Sequence, residues 1–110
     1  MSVSYTGPYK KGEQGVVKVV LVTKGDFHIN EQYPYRFVVQ DPPADGVKYP
    51  KKAVRRADGV FTNTTAEMPI PFVVERTGEA KIAGMYSFSV CTASNCLLDK
   101  RQLEIPVTVE

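Results

Sequence analysis

The strongest constraint on the fold is the stretch from Met85 to Val109, M-Y-S-F-S-V-C-T-A-S-N-C-L-L-D-K-R-Q-L-E-I-P-V-T-V. Tyr86, Phe88 and Val90 alternate with Ser87, Ser89 and Cys91, the period of two of a half-buried strand. On the way back, Leu103, Ile105, Val107 and Val109 alternate with Gln102, Glu104, Pro106 and Thr108. Between the two runs, Cys91 and Cys96 flank Thr92-Ala93-Ser94-Asn95, a length and composition suited to a hairpin loop. The stretch therefore reads as a β-hairpin with both of the chain's cysteines at its tip.

If the two cysteines are directly opposed, their Cα atoms lie roughly 4.5–5.5 Å apart. A disulfide spans roughly 4.4–6.8 Å, so the bond forms easily in that register. It closes a ring of about six residues, for which loop entropy contributes only about 2 kcal/mol, against roughly 4 kcal/mol or more for a ring enclosing most of a domain. The placement is poor for stapling a fold and good for thiol chemistry at an exposed tip. A local disulfide that only rigidifies the hairpin is the competing reading. A zinc site is not expected, because two thiolates and one distant histidine fall short of four ligands.

At 110 residues the chain fits one domain, long enough to bury a core without staples. Apolar residues make up 43% and charged residues 24%, as in ordinary globular domains. A net charge of +2 is too small to argue for nucleic acid. The longest apolar run, Val16 to Val22, is broken by Lys18 and falls far short of a membrane span. Met1-Ser2-Val3-Ser4-Tyr5 lacks the basic and apolar regions of a signal peptide. Two closely spaced cysteines point to an oxidising compartment, or to redox work in a reducing one.

Residues 1–14 are polar, carry Gly7-Pro8 and Lys10-Lys11-Gly12, and read as a flexible lead-in. Gly15 to Thr23 is a dense β-branched strand, apolar on nearly both faces. Tyr35 to Gln40 reads as another strand, and Asp41 to Gly46 as a loop. Val47 to Arg56 reads as a short edge strand or an irregular crossing. Ala57-Asp58-Gly59 reads as a turn, Val60-Phe61 as a short strand, and Ile70 to Thr77 as a strand with Pro71 near its start. Met68 and Met85 read as core. No stretch of ten or more residues has a helical period with caps. The pattern predicts an all-β fold, an immunoglobulin-like antiparallel β-sandwich of about seven short strands spanning residues 15–110.

Two segments together resemble a known family. Gly25-Asp26-Phe27-His28-Ile29-Asn30 follows an apolar strand, and much later come Val90-Cys91, four residues, Cys96, and a strand ending I-P-V-T-V. This order is similar to the N-terminal periplasmic domain of the thiol:disulfide interchange protein DsbD, from about residue 15 to residue 109. The resemblance implies an immunoglobulin-like sandwich that bears a redox cysteine pair on a hairpin and passes electrons to thioredoxin-like partners, including disulfide isomerases. It makes Cys91 and Cys96 the catalytic pair, gives His28 a structural role, and implies a periplasmic or otherwise exported location. The spacing here, Cys-x4-Cys, is one residue shorter than in the best-known members. The family's membrane and thioredoxin-like domains have no counterpart in these 110 residues. The family shields its cysteines with a loop, and Lys48 to Gly59 lies in the part of the chain where the resemblance implies one.

Positive charge near a cysteine favours its thiolate. Lys100 and Arg101 follow Cys96, and Lys48, Lys51, Lys52, Arg55 and Arg56 form the densest basic stretch. Either group suits an acidic protein partner or simply forms a solvated, pairing-resistant edge. The leading expectation is a monomeric thiol-disulfide exchange domain with a thioredoxin-like or disulfide-isomerase-like partner, no cofactor, no nucleic acid and no membrane insertion. The alternative is a binding or structural β-sandwich whose hairpin disulfide is inert.

Overall fold

The computed structural model describes residues 2–110. Its strands are β1 (Ser2–Tyr5), β2 (Gln14–Val22), β3 (His28–Ile29), β4 (Arg36–Val39), β5 (Val47–Lys48), β6 (Ala53–Arg55), β7 (Val60–Phe61), β8 (Thr65–Val74), β9 (Gly78–Cys91) and β10 (Cys96–Val109). One 3-10 turn, Arg56–Asp58, links β6 to β7. Seven strands have three residues or more, while β3, β5 and β7 have two each.

The strands form two sheets with antiparallel ladders. One has the order β1-β2-β8-β5, with β7 also on β8; the other has the order β10-β9-β4-β6, with β3 also on β9. Naming β1, β2, β4, β6, β8, β9 and β10 as A, B, C, C′, E, F and G, with β5 and β7 at the D position, reproduces the immunoglobulin-type sandwich. Val17, Val19, Met68, Ile70 and Phe72 from the first sheet meet Phe37, Tyr86, Ile82 and Ile105 from the second in one core.

The hairpin is the long axis of the molecule. Each of its strands has 14 residues, about 46 Å at roughly 3.3 Å per residue, and the longest dimension is 48 Å. The opposing sheet is built on β2 and β8, of 9 and 10 residues. It covers Ile105, Val107 and Val109 of β10, whereas Cys96 to Gln102 remain exposed. At the cysteine end, therefore, β10 is open to solvent while β9 stays largely buried beside it up to Cys91.

Three sequence expectations are corrected. The supposed lead-in is held in place: β1 pairs with β2, and Tyr9 is buried against the ring of Phe72. Tyr9 donates a 2.8 Å hydrogen bond from its hydroxyl to the Val16 carbonyl. β8 begins at Thr65 rather than Ile70. Pro69 and Pro71 are tolerated because β8 pairs with β2 there on one side only, β7 covering the other side at Ala66–Glu67 and β5 at Val73–Val74. Met68 is buried, but Met85 is 41% exposed, since the outer face of the second sheet has no layer over it at that row.

Candidate functional site

The site grows out of the end of the longest ladder. Fourteen residue pairs join β9 to β10, and the last places Cys91 directly opposite Cys96. The two form a disulfide with Cα atoms 4.0 Å apart. The four-residue loop beyond is stitched by Thr92, whose backbone N–H donates to the Asn95 carbonyl at 2.7 Å. The Thr92 hydroxyl oxygen in turn accepts from the N–H groups of Ser94 and Asn95, at 3.4 and 3.2 Å. This is the local side-chain competition for backbone groups that favours Ser and Thr in turns.

The two halves of the bond differ in environment. Cys91 is 5% exposed, while Cys96 is exposed to solvent. The reason is topological. β9 has neighbours on both sides, and β3 lies beside its last two residues, with His28 opposite Cys91 and Ile29 opposite Val90. β10 is an edge strand. His28, Cys91 and Cys96 thus share one cross-strand row over three strands. The sequence assigns His28 a structural role but does not reveal this adjacency.

The segment around His28 is anchored two residues from the disulfide. The Asn30 side chain donates to the Ser89 hydroxyl at 3.1 Å, and its carbonyl oxygen accepts from the Gln32 N–H at 3.0 Å. Tyr35 donates its hydroxyl to the Ser89 carbonyl. Arg56 donates to the carbonyls of Asn30 and Tyr33, at 3.0 and 3.3 Å, and its guanidinium stacks 4.5 Å from the ring of Phe61. Burial pushes the Tyr35 hydroxyl above its ordinary pKa, so it remains a neutral donor.

The segment Lys48 to Gly59 does not shield the cysteines. β5 lies on the far sheet against Val73–Val74, and β6 runs beside β4, which meets β9 at Gly84 to Ser87. β3 is the element that flanks Cys91. Lys100 and Arg101 do not gather at the tip either. Lys100 stands opposite Ser87, while Arg101 pairs with Asp99 at 3.2 Å and lies over the Phe88 ring.

Apolar surface adjoins Cys96. Leu97 and Leu98, directly after Cys96, are 56% and 66% exposed. Leu97 also lines a hollow of about 200 Å³ with Leu21, Val22, Phe27, Phe88 and Val90. Among the described residues no group of three or more His, Cys, Asp or Glu side chains is arranged to hold a metal ion. No helix among them is long and apolar enough to cross a membrane. The sequence matches no protein-family model and no curated protein.

Proposed function

We propose that this domain exchanges electrons with a thioredoxin-like protein through Cys91 and Cys96, as in the DsbD N-terminal domain that it resembles, in the periplasm or another exported compartment. The observation that carries this reading is the asymmetry of the pair: a small-ring disulfide at the end of the hairpin, with Cys91 buried and Cys96 open beside exposed leucines. The fold does not depend on so small a ring, and apolar surface around a reactive group suits a transient protein partner.

In the reducing direction, an upstream dithiol first reduces the Cys91–Cys96 bond. The Cys96 thiolate then attacks one sulfur of the partner's disulfide, forming a mixed disulfide and releasing the partner's other sulfur as a thiolate. Cys91 next attacks Cys96 Sγ, restores the intramolecular bond and releases the partner's second thiolate. Two electrons pass from this domain to its partner, which leaves as a dithiol.

One observation favours the inert reading: the loop is tied by hydrogen bonds through Thr92 and Cys91 is nearly sealed. Trapping separates the two. A Cys91→Ser variant, mixed with an oxidised thioredoxin-like protein, should accumulate a mixed disulfide through Cys96, and Cys96→Ser should accumulate far less. No mixed disulfide from either variant would overturn the proposal.

A further inference from the structure

A second feature lies on the outer face of the cysteine-bearing sheet. Arg55 stands opposite Arg36, Arg36 opposite Ser87, and Ser87 opposite Lys100, so four strands contribute to one cross-strand row. Directly opposed residues of antiparallel strands point to the same face. The adjacent row, Val54, Phe37 and Tyr86, is fully buried in the core, which turns Arg55, Arg36, Ser87 and Lys100 outward.

The row itself holds three cations and no acid. Like charges directly opposed destabilise a sheet, yet none of its three cations forms an ion pair among the described residues. Of the nearby acids, Asp58 pairs with Lys51 and accepts from the Arg55 backbone N–H at 3.0 Å, while Asp99 pairs with Arg101 and accepts from the Lys100 backbone N–H at 2.8 Å. Ser87 is only 6% exposed. These side chains line a cleft of about 310 Å³ walled by Tyr33 and Pro34. Solvation of an edge explains isolated lysines. It does not explain three unpaired cations aligned over a buried serine in a cleft.

We infer that this row docks an extended acidic peptide segment of a partner protein, with carboxylates on the cations and one of its polar groups on the Ser87 hydroxyl. Strand spacing of about 4.8 Å makes the row roughly 14 Å long. In an extended peptide, acidic side chains at alternate positions lie about 6.8 Å apart, so three of them span roughly 13.6 Å. The lengths match. The cleft shares its face with the disulfide, four residues along β9 from Cys91. The inference stands apart from the redox reading, because it concerns binding by the oxidised protein alone.

The test is calorimetric titration of the oxidised protein at low salt with the capped peptide Asp-Ser-Asp-Ser-Asp, and separately with inorganic phosphate. The peptide should bind, and more weakly as salt screens the charges. Arg36→Gln and Lys100→Gln should each weaken it by about two- to fivefold, as expected of exposed charge pairs. Lys11→Gln, which removes the same charge elsewhere, should leave it unchanged. Circular dichroism establishes that each variant is folded. Absence of peptide binding, equal weakening by Lys11→Gln, or phosphate binding as tightly as the peptide would each overturn the inference.

Discussion

Cys91 and Cys96 are register partners at the last rung of the β9–β10 ladder, yet one is buried and the other faces solvent. The difference arises because β9 is flanked on both sides and β10 on one. In the proposed exchange, Cys96 is the residue a partner can reach, and Cys91 is held beside it to resolve the mixed disulfide. The asymmetry is a property of strand order and does not require a special loop.

The disulfide should be dispensable for folding. A Cys91→Ala/Cys96→Ala variant should remain folded and lose at most about 2 kcal/mol, the loop-entropy contribution of so small a ring. Urea unfolding of the two proteins measures the difference. Loss of the native fold would show that the bond is a structural staple.

Asn30 anchors the segment beside Cys91 through Ser89 and Gln32. Asn30→Ala should cost about 1 kcal/mol for the lost hydrogen bonds. It should also speed reduction of the disulfide by dithiothreitol, because β3 no longer lies firmly against the buried sulfur. An unchanged rate in a destabilised variant would show that β3 does not control access.

Two buried tyrosines should respond in opposite directions. The Tyr86 hydroxyl is buried without a hydrogen-bond partner, so Tyr86→Phe should be neutral or stabilising by up to about 1 kcal/mol. Tyr35 donates to the Ser89 carbonyl, so Tyr35→Phe should destabilise by about 1 kcal/mol. Thermal or urea unfolding of both variants provides the comparison.

Alkaline pH should weaken the fold through the same groups. Burial raises the hydroxyls of Tyr35, Tyr49 and Tyr86 above their ordinary value of 10.0. Above that pH the unfolded chain releases these protons while the folded chain retains them. Their contribution is thus complete below about pH 10 and is lost as pH rises toward the folded values. Tyr86 alone accounts for at most about 1.4 kcal/mol per pH unit in that window. Tyr86→Phe should flatten the decline measured by urea unfolding between pH 9 and pH 11, and an identical slope would contradict this assignment.

The core was legible wherever a single strand carried its own pattern. Ile105, Val107 and Val109 alternate in the sequence and face the core. Legibility ended where burial depends on partners. Ser87 and Ser89 read as solvent-facing but are buried, because β4 and the anchored Asn30 segment lie beside β9. Met85 looks like core but sits on an uncovered face. β1 was missed because Ser2–Tyr5 is short and polar, and its order comes from the edge of β2. The cysteine pair was visible as a local hairpin. The placement of His28 beside Cys91 and the row of Arg55, Arg36, Ser87 and Lys100 were not, since both arise from pairing between distant segments.

Thiol exchange is tested most directly by the equilibrium reduction potential of the Cys91–Cys96 bond, titrated in a glutathione or dithiothreitol buffer. A redox-active pair should fall between roughly −120 and −270 mV and exchange readily with a thioredoxin-like protein. A potential below about −300 mV, typical of structural disulfides, with no exchange with such a protein, would contradict it.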